Sequence, residues 1–147
     1  MKAFSFNLEK ILRLRKYRED EAKIELGRAI GILAEIERKL LVLAQERARA
    51  AAEQFSPGNT AALIQQYMFY LLRLDNTKEQ LLEEAAMAEM KVEEARGVFL
   101  EASRERKVLD KLKEKRQKEY RKEVFAWETR VLDDISPGAA ARLNTTA

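Results

Sequence analysis

From Leu8 onward, stepping alternately by four and three residues lands on Leu8, Leu12, Ala22, Leu26, Ala29, Leu33, Ile36, Leu40, Leu43 and Ala50, with only Arg15, Glu19 and Arg47 breaking the run. That spacing is the a/d seam of a coiled coil. The same stepping from Ile64 gives Tyr67, Leu71, Leu74, Leu81, Ala85, Ala88, Val92, Ala95, Phe99, Ala102 and Leu109, broken by Lys78 and Arg106. Helix-breaking clusters occur at Ser56-Pro57-Gly58-Asn59 and at Ser136-Pro137-Gly138. The pattern therefore predicts a helix over 7–54, with Ser5 or Asn7 as N-cap, a turn over 55–59, and a second helix over 60–134, capped by Asn59 or Thr60. The expected fold is all-α: one long two-stranded antiparallel coiled-coil hairpin over 1–135, its second helix overhanging the first, followed by a flexible tail over 136–147.

Folding the two stripes onto each other about Pro57 pairs residues whose numbers total 114: Ala50 with Ile64, Leu43 with Leu71, Leu40 with Leu74, Leu33 with Leu81 and Leu26 with Ala88. In that register Arg15 faces the Phe99 ring, as a cation can. Ala29 meets Ala85 beside Gly27 and Gly31, which predicts a close approach of the helices; the plainer alternative is two glycines merely tolerated. At 1.5 Å per residue the helices differ by about 40 Å, so the second must overhang. The overhang still carries Tyr120, Val124, Trp127 and Val131 at helical spacing. A stripe of that kind points to a partner surface, with self-association or packing against Phe4 and Phe6 as the alternatives.

Composition narrows the function classes. With no Cys and no His, thiolate chemistry and the commonest general base and metal ligand are absent from the 147 residues. No glycine-rich phosphate loop is formed by the five glycines, and sequence-adjacent carboxylates such as Glu83 and Glu84 diverge on a helix. Ser103 and Lys107 lie one helical turn apart without a concave site implied around them. The residues thus suggest no catalytic site, cofactor or metal. Residues 54–72 are uncharged but hold Ser56, Pro57, Gly58, Asn59 and glutamines, so membrane insertion is not expected. Charge is uneven: residues 1–18 hold six Lys or Arg against Glu9, and residues 104–122 hold ten against four acids, whereas residues 74–101 hold eight acids against three bases. A basic end of this kind suits an acidic protein surface. Nucleic acid is the rival partner, and the interleaved Glu105, Asp110, Glu114 and Glu119 argue against it.

The opening F-x-F-x-L-E-K-I-L-R-L-R (Phe4 to Arg15), the E-D-E-A-K-I-E-L that follows (Glu19 to Leu26), the run A-S-R-E-R-K-V-L-D-K-L-K-E-K-R-Q-K-E-Y (Ala102 to Tyr120) and the L-D-D-I at Leu132 to Ile135 together resemble the flagellar export protein family FliJ. The resemblance implies a cytoplasmic component of the flagellar type III export apparatus, peripheral to the cell membrane at the flagellar base and similar to the coiled-coil stalk of the rotary ATPase gamma subunit. Its implied partners are the hexameric export ATPase, the membrane export gate protein and, in some descriptions, export chaperones. On that reading Arg13, Arg15, Arg18, Lys111, Lys113, Lys115 and Arg116 are candidates for the ATPase contact. Leu40, Leu43, Tyr70 and Leu74 are candidates for the gate contact, and Tyr120, Val124, Trp127 and Val131 for the overhang partner. Where some family members carry tyrosines late in the first helix, this chain has Glu46 and Ala50. A passive or self-associating coiled-coil scaffold and the equivalent stalk of an injectisome secretion system are the alternatives.

Overall fold

The structure, a computed structural model, describes residues 2–145. It consists of two α-helices, α1 (Glu9–Gln54) and α2 (Ala61–Thr145), packed antiparallel as a hairpin. The described residues fall into two compact units: residues 2–17 with 103–145 form unit 1, and residues 18–102 form unit 2.

Unit 2 contains the reversal. Pro57 and Gly58 occupy the centre of a turn closed by the Asn59 amide donating to the Ser56 carbonyl at 3.2 Å, and Gly58 has φ of 88°. Proline at the second position and a positive-φ glycine at the third are the residues a type II turn requires. The Asn59 side-chain amide then donates to the carbonyls of Glu53 (2.8 Å) and Gln54 (3.0 Å), which have no intrahelical partners at the end of α1. Thr60 caps α2 as expected, its hydroxyl oxygen accepting from the Leu63 amide at 3.2 Å. Such a cap contributes about 1 kcal/mol. Beyond the turn, Ile36, Ala85 and Ala88 form a buried cluster, with Leu33, Leu40 and Leu81 packed on it.

In unit 1 a non-helical segment precedes α1, and Phe6 buries with Leu12 and Leu109 while Phe4, Leu8 and Leu112 pack around them. Leu12 is completely enclosed. The first intrahelical bond runs from the Leu12 amide to the Leu8 carbonyl at 2.8 Å, so α1 starts two residues later than the sequence pattern suggests. At the other terminus α2 does not end near 134. It continues through Pro137 to Thr145, with the ring at 137 removing one backbone donor from the helix. The last two residues of the 136–147 segment lie outside the described residues.

The register differs from the one that folding about Pro57 predicts. In unit 1, Leu12 shares its cluster with Leu109, Glu9 pairs with Lys113 at 2.8 Å, and Arg15 donates to the Glu105 carbonyl at 2.8 Å. In unit 2, Ile36 shares its cluster with Ala85, and Arg47 holds Asp75. These partner numbers total 120 to 122, one heptad beyond 114. The reason is visible at the reversal: Asn59 is held over the last carbonyls of α1, and α2 first reaches α1 where Gln54 donates to the Ile64 carbonyl and Tyr67 to Glu53. Its first turn is spent passing the end of α1. Arg15 accordingly meets a backbone carbonyl and not the Phe99 ring. The close approach at Gly27 and Gly31 is absent too, since a methyl group added at either would meet nothing within 4 Å.

Both glycines therefore contribute only backbone entropy and weak helix propensity. Gly27→Ala and Gly31→Ala are each expected to stabilise the hairpin by roughly 0.5–1 kcal/mol, measured as a rise in the urea midpoint at unchanged m-value; destabilisation would mean that the helices do approach there.

Candidate functional site

Two groups of side chains stand out, one in each unit. In unit 1, Arg13 on α1 and Lys111, Lys115 and Arg116 on α2 are exposed, as are Lys10, Lys16 and Lys118 around them. Arg15 and Lys113 are half-buried and engaged: the Arg15 guanidinium binds the Glu105 carbonyl, and the Lys113 ammonium lies on Glu9. That ammonium, hydrogen-bonded to the carboxylate, holds Glu9 below the ordinary carboxylate range. Two of the predicted cations thus help hold the helices together, while four point outward. Arg18 falls in unit 2.

Further along α2, Tyr120 is half-buried because the segment before α1 lies over it. Its ring meets Phe4 with centroids 5.6 Å apart, and its hydroxyl donates to the Lys2 carbonyl at 2.8 Å. Val124 and Val131 are half-buried and Trp127 is about half exposed, with Phe125, Leu132 and Ile135 more open still. The predicted overhang stripe therefore divides into a tyrosine that the chain itself covers and an open face beyond it.

In unit 2 the four predicted docking residues are half-buried and do not form one open surface. Leu40 packs on the Ile36 cluster, and Leu40, Leu43 and Leu74 line a groove with Ala44, Arg47 and Lys78. Tyr70 donates its hydroxyl to Glu46 at 2.7 Å, and the Arg73 guanidinium carbon lies 5.8 Å from its ring centre. The Glu46 carboxylate also accepts from Arg49 at 2.5 Å and 3.0 Å, and these bonds, the Arg49 one foremost, hold its pKa down at about 2. Tyr67 repeats the arrangement, donating to Glu53, which Arg49 also binds. The same hydrogen bonds raise the pKa of both tyrosines and of Arg49. Leu63, Gln66, Tyr67, Phe69, Tyr70 and Arg73 together line an open depression on α2.

A family model described as flagellar FliJ protein matches residues 4–144. The chain belongs to the flagellar FliJ protein family. Membership ties it to flagellar protein export. No curated protein and no solved structure matches the chain. For this FliJ family member, no helix among the described residues is long and apolar enough to cross a membrane. Sequence reasoning missed the cross-helix clamps, namely Glu46 with Tyr70, Glu53 with Tyr67, and Arg47 with Asp75. All three partner choices depend on the register, and only a register one heptad further along brings Arg47 to Asp75, at 2.6 Å and 3.2 Å. Glu46 is the acceptor that fixes a tyrosine on the other helix.

Because the Glu46 carboxylate titrates at about 2 when folded against an ordinary value of 4.5, its contribution to stability is full above about pH 4.5 and is lost as the pH falls through about 2. Glu46→Gln should lower the thermal midpoint at neutral pH, and the gap from wild type should close as the pH approaches 2, as followed by circular dichroism. A gap independent of pH would show that the carboxylate is not held in this way.

Proposed function

We propose that the chain is a non-catalytic stalk of the flagellar export apparatus, one unit engaging the export ATPase ring and the other the membrane export gate. The observation that carries the ATPase half is the exposed cationic surface of unit 1, where Arg13, Lys111, Lys115 and Arg116 face solvent while their neighbours Arg15 and Lys113 are bound within the hairpin. Long-range attraction of such a surface to an acidic ring steers encounter and is weakened by salt. The engaged pair keeps the two helices aligned beneath it, so that cations from both helices are presented together.

For the gate half, support comes from the face of α2 beside the turn. There Glu46 and Glu53 anchor the tyrosine hydroxyls, while Leu63, Phe69 and Arg73 remain available to a partner. Rings immobilised before contact lose less entropy on binding. Tyr70 is the predicted residue best placed for this role, and Leu40 is the least, because its side chain is used in the core. The family match is to a flagellar protein and so favours the flagellar apparatus over an injectisome. Export chaperones are further partners on this reading, with no residue assigned to them.

The test is co-sedimentation and ATP hydrolysis with the cognate export ATPase at moderate salt, comparing wild type with a Lys111→Glu, Lys115→Glu, Arg116→Glu triple variant. Lys113 is left intact to preserve its pair with Glu9. Wild type is expected to bind and stimulate hydrolysis and the variant, with unchanged helical content, to lose most of both. Wild type that neither binds nor stimulates would reject the stalk reading in favour of a passive scaffold.

A further inference from the structure

The open face at the end of α2 has a feature beyond its apolar residues. Residues 111–122 hold seven Lys or Arg against Glu114 and Glu119, whereas residues 123–134 hold Glu123, Glu128, Asp133 and Asp134 against Arg130 alone. The sign of the charge reverses between Lys122 and Glu123, so Trp127 has the end of the basic run on one side and Asp133 and Asp134 on the other. Laid antiparallel on a second copy with the two Trp127 side by side, Lys118, Arg121 and Lys122 of each face the stretch around Asp133 and Asp134 of the other. Laid parallel, like would face like, which is destabilising.

We propose that the free protein associates with a second copy of itself through this part of α2, as an antiparallel, two-fold symmetric pair centred close to Trp127. Three observations meet here. The charge pattern is one. Another is continuity: the stripe Tyr120, Val124, Trp127, Val131 extends the line of α2 that buries Leu109 and Leu112 against α1 and Phe6, so the second copy continues a seam where α1 has run out. The last is exposure. With Trp127 49% exposed, and Phe125, Leu132 and Ile135 at 60% or more, the segment presents a wide apolar face on a helix that has no partner helix there among the described residues. An unpaired helix of this length is only marginally stable in water, and a closed two-fold interface covers the same face on both copies at once.

The consequence is regulatory. The paired stretch takes in Lys118, Arg121 and Lys122 and ends beside Lys115 and Arg116 of the proposed ATPase contact, so self-association and ring binding compete for adjoining surfaces. The inference adjoins the proposed function but does not require it.

Trp127 is the single tryptophan of the chain, so its emission reports on this segment alone. Sedimentation equilibrium and tryptophan emission of the full chain, followed from the low micromolar range upward, should show a monomer–dimer equilibrium with a matching blue shift. Asp133→Lys with Asp134→Lys should weaken dimerisation about tenfold or more by placing like charges together, as should Lys118→Glu, Arg121→Glu and Lys122→Glu combined. An equimolar mixture of the two variants should recover the affinity as a heterodimer. Failure of the mixture to recover would overturn the antiparallel arrangement. A chain that stays monomeric with solvent-like emission at every concentration overturns the proposal altogether, even where Trp127 becomes buried on adding the ATPase; that result would leave the stalk reading standing.

Discussion

In a chain with 36% charged residues a helix gains little from its polar faces in water, so α1 and α2 depend on what their narrow apolar seam removes from solvent. The seam is thin. Its fully or nearly buried members are mostly small or single side chains: Leu12, Ala22, Ile36, Ala50, Ala85, Ala88, Val92 and Leu109. Burial of this kind is worth roughly 25 cal/mol per Å2 of apolar surface, and alanine supplies little surface. The cross-helix polar contacts therefore carry a larger share of the specificity than they would around a rounded core. Arg47 on Asp75, Lys113 on Glu9 and the Arg15 guanidinium on a backbone carbonyl each join the two helices at a particular offset.

The turn acts through the same constraint. By holding Asn59 over the carbonyls of Glu53 and Gln54, it decides where α2 begins relative to α1, and hence which acid meets which base all along the seam of unit 2. Function draws on the surplus. Residues that the seam does not need, such as Arg13, Lys115 and Arg116, stay in solvent with their charge unspent, and Trp127 lies beyond the last residue of α1 that could cover it. The tyrosines beside the turn are intermediate: their hydroxyls are committed to Glu46 and Glu53 and part of each ring remains accessible.

Much of this was legible in the residue order. The heptad stripes, the two breaker clusters and the lack of any other proline require two helices and one reversal, because apolar residues every 3.5 positions can be buried only by another helix. The inequality of the helices, the basic surface, the Thr60 cap and the family resemblance follow from the sequence as well. Less legible was the fate of individual candidates. Nothing in the string says that Arg15 and Lys113 are engaged while Lys111 and Lys115 are free, because all four are cations at similar spacing. Nor does it say that Tyr120 is covered by Phe4 and the Lys2 carbonyl, since this depends on a non-helical segment with no periodicity of its own.

The sequence by itself determined that this chain is a helical hairpin with an apolar seam, an overhanging second helix and a basic end. Only the tertiary structure decided the register. A seam that repeats every seven residues looks the same after a shift of seven, so the apolar pattern supports a total of 114 nearly as well as one of 121. The choice is made by features that do not repeat: the positive-φ turn at Gly58, the Asn59 bonds to the end of α1, and the single carboxylates that Arg47 and Lys113 can reach.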